Sequence, residues 1–193
     1  INIALFKKSL PPMPRRVQRP HTVALPPRSR TLNSMDKDQR FTQAAAELGY
    51  SFDGEIKIGG HYVPLVRDGN TVYLSGQIPR VGDVVVVQGR AGDTVSLPQA
   101  QHAARVCVMR ALALLQRSLG SLEQVRSVLR ITVYVQCTAD FTQHSEVADG
   151  ASDLLFSILG EAGAHTRTSV GVQQLPKNAT VEVDLVAAVH SPA

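Results

Sequence analysis

The stretch VEVDLVAAV at residues 181–189 predicts a β-strand with apolar side chains on both of its faces. Side chains of a strand alternate between two faces, so one face holds Val181, Val183, Leu185 and Val189, and the other holds Glu182, Asp184, Val186 and Ala188. A sheet that is apolar on both faces needs a cover on both faces. Another copy of the chain is the simplest second cover, and we therefore predict a homo-oligomer.

Hydrophobic periodicity predicts the element order β-β-β-α-β-α-β-β, an α+β domain with six strands and two long helices on one face of the sheet. The helices are predicted at 38–50, 97–119 and 145–159, and the strands within 61–79, 84–89, 125–137, 165–172 and 180–189. Ser96 to Gln99 is a helix start, and Gly120 is a helix stop. The run VVVV at 84–87 predicts a strand that is buried on both faces. In 125–137, alternation places Leu129, Ile131, Val133, Val135 and Cys137 on one side.

Residues 165–189 are predicted to form a hairpin that turns through residues 175–178 and brings Arg167 roughly opposite Glu182 and Asp184. Two interpretations remain open. The pair is a solvated ion pair that contributes little to stability, or Arg167 is an anion site whose guanidinium binds a carboxylate through two parallel hydrogen bonds. In the second case Glu182 orients a water or moves a proton. Tyr62 and Ser75-Gly76-Gln77 are candidates to complete such a pocket.

The charge of the chain is divided unevenly. Residues 1–35 hold seven Lys or Arg and no acid, whereas residues 36–193 hold 13 basic and 16 acidic residues, although the whole chain is +4. A domain that binds nucleic acid carries its excess of basic residues on the folded part. The acidic excess of residues 36–193 therefore argues against a nucleic-acid partner. The basic segment predicts a mitochondrial-type leader, an RNA-binding arm, or an extension ahead of a natural start at Met35.

No apolar stretch approaches the roughly 18 residues that a transmembrane helix needs. The sequence therefore predicts a soluble protein that makes no use of a membrane, cytoplasmic, or mitochondrial if the leader is real. Motifs for nucleotides, nucleophilic serines, metals and redox cysteine pairs are missing, and the six histidines lack metal-ligand spacing. We expect no metal and no cofactor. Cys107 and Cys137 are predicted to be buried free thiols.

Three stretches in this order resemble the RidA/YjgF family of reactive intermediate deaminases, also known as endoribonuclease L-PSP. They are GGHYVPLVRDGNTVYLSGQIP (59–79), VLRITVYVQCTADF (128–141) and RTSVGVQQLPKNATVEVDLVAAV (167–189), and the resemblance extends over about 36–190. The stretch VADGASDLLFSILGEAGAHTRTSVGV (147–172) is similar to a divergent branch with an N-terminal helix and a GASDL helix.

The resemblance implies a single chorismate-mutase-like domain with a mixed sheet, assembled as a homotrimer whose sheets form a central barrel with clefts between subunits. It also implies cofactor-free hydrolysis of enamine or imine intermediates such as 2-aminoacrylate to 2-oxo acids and ammonia. By position, Arg167 would bind the substrate carboxylate, Glu182 would hold or activate the attacking water, Tyr62 would line the cleft, and Gly76 would lend its backbone.

Two positions depart from the pattern of the family. Ser169 stands where the deaminases carry a cysteine, and its hydroxyl can still form hydrogen bonds. Asp149 stands where the family usually has an asparagine, and a carboxylate near a carboxylate-binding cleft raises the cost of binding an acid. Three functions therefore stay open: an imine or enamine deaminase, a non-catalytic trimer that binds small metabolites or partner proteins, and an endoribonuclease. The acidic balance of residues 36–193 argues against the last.

Overall fold

The computed structural model describes residues 35–191, in which three α-helices and seven strands are present. The prediction for the basic segment 1–35 lies, apart from Met35, outside the described residues. The helices are α1 (Lys37–Leu48), α2 (Leu97–Leu119) and α3 (His144–Leu159). The strands are β1 (Leu65–Asp68), β2 (Thr71–Gln77), β3 (Arg80–Val81), β4 (Val84–Val85), β5 (Val125–Gln136), β6 (Thr166–Val172) and β7 (Val181–Val189).

The two ends of α2 lie where its capping residues predict them. Before α2, the backbone N–H of Ser96 donates to Oε1 of Gln99 at 2.9 Å. The helix ends at Gly120, whose φ of 82° is in the left-handed region that glycine adopts readily. A reciprocal pair of bonds between Asp36 and Gln39 starts α1. None of the helices in residues 35–191 is long and apolar enough to cross a membrane.

The main sheet is mixed, as predicted, but it has five strands in the order β1-β2-β7-β5-β6 rather than six. The valine run does not join it. Val84–Val85 pairs only with Arg80–Val81 in a separate ribbon, and Val84 is exposed. The prediction of a strand buried on both faces is therefore wrong, because a turn at Gly82 (φ 55°) folds the segment back at once.

The predicted hairpin between β6 and β7 is also wrong. Strand β6 pairs in parallel with one side of β5, with Arg167 beside Ile131. Strand β7 pairs antiparallel with the other side of β5, with Glu182 beside Tyr134. The intervening residues 173–180 are long enough to pass β5, and α3 makes the crossover that a parallel pair requires. Strand β5 therefore separates Arg167 from Glu182.

The two long helices, α2 and α3, cover one face of the sheet. The buried core there is mostly aliphatic and includes Leu112, Leu115, Ile131, Leu155, Ile158 and Leu185. Leu129 is exposed, against the alternation that predicted it inside, because the register of β5 against β7 shifts between Val128 and Arg130. On the opposite face, Val66, Tyr73 and Val170 remain exposed in the single chain. The predicted uncovered face is therefore confirmed.

Candidate functional site

A cavity of about 200 Å³ opens beside the end of β2. Its walls come from residues 56–64, from Ser75, Gly76 and Gln77 of β2, from Glu182 of β7, and from Pro176 and Lys177 of the β6–β7 connection. Four of the seven predicted site residues line it: Tyr62, Ser75, Gly76 and Glu182. We call this space the Glu182 cavity. It is smaller than the roughly 300–1,000 Å³ of pockets for drug-sized ligands, which suits a ligand of a few heavy atoms.

Gly76 leaves room for the carboxylate of Glu182. The register between β2 and β7 shifts between Leu74 and Gln77, so Gly76 lies in a bulge. A Cβ at Gly76 would lie 1.8 Å from Oε1 of Glu182, well inside any allowed contact. The carboxylate can therefore keep this position only while residue 76 is a glycine.

The carboxylate of Glu182 is half-buried and accepts no hydrogen bond from any residue in the described part of the chain. Burial raises the pKa of Glu182 above its ordinary value, and the negative charge of Asp184 on the same face of β7 adds to the rise. A carboxyl group whose pKa is raised takes up a proton more readily, and it can return that proton to a reacting group.

Arg167 lies in a second cluster, at the helix-covered side of the sheet edge. Its Nη1 donates to Oδ1 of Asp149 at 2.8 Å and to Oγ of Ser152 at 2.9 Å, and its Nη2 donates to the carbonyl of Ser145 at 3.3 Å. Ser169 lies two residues further along the same side of β6. We call these residues the Arg167 cluster. Asp149, anticipated as a carboxylate close to the arginine, is thus its ion-pair partner.

The two groups of predicted residues are not brought together within one chain. No hydrogen bond or ion pair joins the Glu182 cavity to the Arg167 cluster in residues 35–191. They lie on opposite faces of the sheet, since Arg167 shares its register with buried Ile131 and Glu182 shares its register with Tyr134. The interpretation of Arg167 and Glu182 as an ion pair is therefore wrong.

Some residues of both groups were missed by the sequence reasoning. Ser152 follows Asp149 by three residues, so both lie on one face of α3 and both reach Arg167. The Oγ of Ser152 also lies 3.0 Å from Nε2 of His165. Arg110 lines the Glu182 cavity from α2. Its signal was present in the sequence, as a charged residue three positions after Cys107 on the apolar face of a helix.

The two cysteines take no part in either group. Both are free; Cys107 is buried and Cys137 is half-buried. Burial raises the pKa of the Cys107 thiol well above its ordinary value, so this side chain behaves as a small apolar core residue. Its Sγ lies 3.6 Å from the carbonyl oxygen of Val181.

Fold and site together define an α+β protein with a mixed sheet, two covering helices and a small cavity at Glu182. The sequence pattern of the family described as "YjgF/chorismate mutase-like, putative endoribonuclease" matches residues 41–189, and the chain belongs to this family.

Among its relatives, protein TCP17 of Trypanosoma cruzi is 38% identical over 145 residues, which are 75% of this chain and 91% of that protein. The structure of Atu1372 from Agrobacterium tumefaciens is 33% identical with a TM-score of 0.72, over 80% of this chain and 95% of that one. A structure described as "a putative endoribonuclease" from Shewanella oneidensis MR-1 is 27% identical with a TM-score of 0.72, over 77% of this chain and 99% of that one.

Proposed function

We propose that this protein hydrolyses small enamine or imine intermediates of the 2-aminoacrylate type to 2-oxo acids and ammonia. The observation that carries the proposal is the carboxylate of Glu182, which faces a small cavity without a hydrogen-bond donor from the described residues and has a raised pKa. An imine carbon is already electrophilic. The protein needs to hold the substrate, place a water and move one proton.

The proposed reaction begins with the imine tautomer of the substrate in the Glu182 cavity. Glu182 takes a proton from water as the water oxygen bonds to the imine carbon, and it passes that proton to the nitrogen, which gives a neutral carbinolamine. Glu182 then takes the proton of the carbinolamine hydroxyl and returns it to the nitrogen. The C–N bond breaks, ammonia leaves, and the C=O bond of the 2-oxo acid forms. No electron acceptor and no covalent bond to the protein are needed.

We propose further that the working unit is a homotrimer whose clefts each combine the Glu182 cavity of one copy with the Arg167 cluster of the next. Two features support this assembly. The sheet leaves an apolar face with exposed Val66, Tyr73 and Val170, and the predicted site residues fall into two separate groups in each chain. A trimer would cover the face and complete the site.

In such a cleft Arg167 has two tasks. It balances the charge of Asp149, to which it is 2.8 Å away, and it offers its remaining N–H groups to the substrate. Removal of the guanidinium would leave Asp149 as an unpaired carboxylate, which repels an acidic substrate.

The ion pair between Arg167 and Asp149 also favours a second candidate, a trimer that binds small metabolites without chemistry. An arginine that already holds a carboxylate is less free to bind one from a substrate. The two functions differ in turnover, which is directly measurable.

The test generates 2-aminoacrylate enzymatically and follows pyruvate release with and without the protein. We expect the wild type to accelerate release, and Glu182→Gln and Arg167→Ala to lose that acceleration. Asp68→Asn removes an exposed carboxylate at the end of β1 that does not line the cavity, and this control should retain the acceleration. If the wild type binds pyruvate but does not accelerate its release, the protein is the metabolite-binding trimer and not a deaminase. Acceleration retained in Arg167→Ala would remove Arg167 from the site.

A further inference from the structure

Arg110 is a charged residue in the core of the protein. Only 5% of its surface is exposed, although it lies in the middle of α2 among Cys107, Ala111 and Leu112. Its side chain leaves the helix face and reaches the wall of the Glu182 cavity. Burial lowers the pKa of its guanidinium, which shows that the surroundings disfavour the charge.

The hydrogen-bond partners of Arg110 are all neutral. Its Nη1 donates to the carbonyl of Arg80 at 2.7 Å, its Nε donates to the side-chain oxygen of Gln77 at 3.3 Å, and its Nη2 donates to the carbonyl of Lys57 at 3.4 Å. These bonds hold the group in place and use three of the five N–H donors that a guanidinium offers. Two donors remain for a further acceptor.

No carboxylate in residues 35–191 forms an ion pair with Arg110. The other arginines near the site differ in this respect, because Arg80 is paired with Asp83 at 2.9 Å and Arg167 with Asp149 at 2.8 Å. A buried charge without a counter-charge is unfavourable. Such a group in the wall of a cavity is therefore poised to receive an anion.

Most of the other charged residues in the cavity wall are also cationic. Among the described residues that line it, Lys57, Arg80, Arg110 and Lys177 are cationic and Glu182 is the one carboxylate. Tyr62 and Gly76 add polar groups at its edge. The volume of about 200 Å³ admits only a small molecule.

We propose that Arg110 binds the carboxylate of a small 2-oxo or 2-imino acid inside the Glu182 cavity. The two arginines then divide the roles that one arginine was predicted to hold. Arg167 of the neighbouring copy balances Asp149 and offers its remaining N–H groups to the substrate, and Arg110 binds the substrate carboxylate inside the cavity. The choice of ligand rests on the proposed deaminase function, whereas the anion site itself does not.

The experiment is a calorimetric titration of the full chain with pyruvate, the product of the proposed reaction, at constant ionic strength. Wild type should bind pyruvate and should bind pyruvamide, its neutral analogue, at least about tenfold more weakly, since a hydrogen bond to a charged group outweighs one to a neutral group. Arg110→Gln should weaken pyruvate binding by on the order of tenfold to a hundredfold. Arg105→Gln, on the same helix but outside the cavity wall, is the matched control and should bind pyruvate as wild type does.

Unchanged pyruvate binding in a folded Arg110→Gln variant, or an equal loss in Arg105→Gln, overturns the proposal. If Arg110→Gln does not fold, the wild type alone still tests the anion site. Its melting temperature is then measured with pyruvate and with pyruvamide at equal concentrations. At equal concentration, the ligand that binds the folded protein more tightly raises the melting temperature more, so equal shifts with pyruvate and pyruvamide overturn the anion site. Binding that depends on Arg110 without imine turnover leaves this inference standing and removes the deaminase.

Discussion

The substitution Gly76→Ala tests whether the position of the Glu182 carboxylate matters for chemistry. The added Cβ would lie 1.8 Å from Oε1, 2.7 Å from Cδ and 2.9 Å from Cγ of Glu182. Because an ordinary contact begins at about 3.4 Å, the carboxylate oxygen must move by roughly 1.5 Å. The side chain of Glu182 can rotate away without disturbing the strand.

The size of the effect follows from that displacement. Misplacing a reacting group by about 1 Å costs on the order of 10²-fold in rate, and general acid–base catalysis contributes about 10²–10⁴-fold in total. We therefore expect kcat/KM for imine hydrolysis to fall by on the order of 10²-fold, which corresponds to about 2.7 kcal/mol. The cost in stability should be small, about 0.5–1.5 kcal/mol for a strained rotamer.

The assay compares pyruvate release by wild type, Gly76→Ala and Gly54→Ala, with urea unfolding of each. Gly54 is the control, since a Cβ there meets nothing within 4 Å and the residue does not line the Glu182 cavity. A folded Gly76→Ala protein with wild-type kcat/KM would refute the reasoning, because the carboxylate cannot stay where it is. A loss of the same size in Gly54→Ala would do so as well.

Three further predictions concern charge and packing. Burial raises the pKa of Glu182 in the folded protein, so the charged carboxylate opposes folding and stability falls as pH rises through the raised pKa. Glu182→Gln should therefore raise the melting temperature at about pH 7 and have no such effect near about pH 4. A difference in melting temperature that does not change with pH would contradict this prediction. Asp149→Asn removes the ion-pair partner of the Arg167 guanidinium, so the KM for an acidic imine should fall severalfold, while the free energy of unfolding drops by about 0.2–1 kcal/mol. An unchanged KM would contradict a role for Arg167 in substrate binding. Leu112→Ala empties a fully buried position and should cost about 2–5 kcal/mol in urea unfolding; a loss below about 1 kcal/mol would mean that the helix layer repacks.

Local patterns predicted the helices and most strands because their causes are local. Gly120 in the left-handed region and the capping bond at Ser96 act within one turn of chain, and they place the ends of α2 correctly. The valine run at 84–87 misled because four β-branched residues fit any strand, whereas the turn at Gly82 decides which strand they join. Strand content can be read from composition, but strand partners cannot.

The pairing of Arg167 was the harder case. A hairpin is the usual outcome for two neighbouring strands with a turn between them, and nothing in residues 165–189 excludes it. The parallel pairing with β5 depends on α3, whose Asp149 and Ser152 hold Arg167 from outside that segment. The family resemblance named the candidate site residues, but only the fold shows that they form two groups.

Mixing two inactive variants tests most directly whether the site is shared between copies. Arg167→Ala and Glu182→Gln chains are unfolded, combined in equal amounts and refolded together, and pyruvate release is compared with that of each variant refolded alone. If every cleft takes Arg167 from one copy and Glu182 from the next, random trimers should regain about a quarter of the wild-type rate, since about one cleft in four receives both intact residues. A mixture no more active than its separate components would contradict a cleft built from two copies.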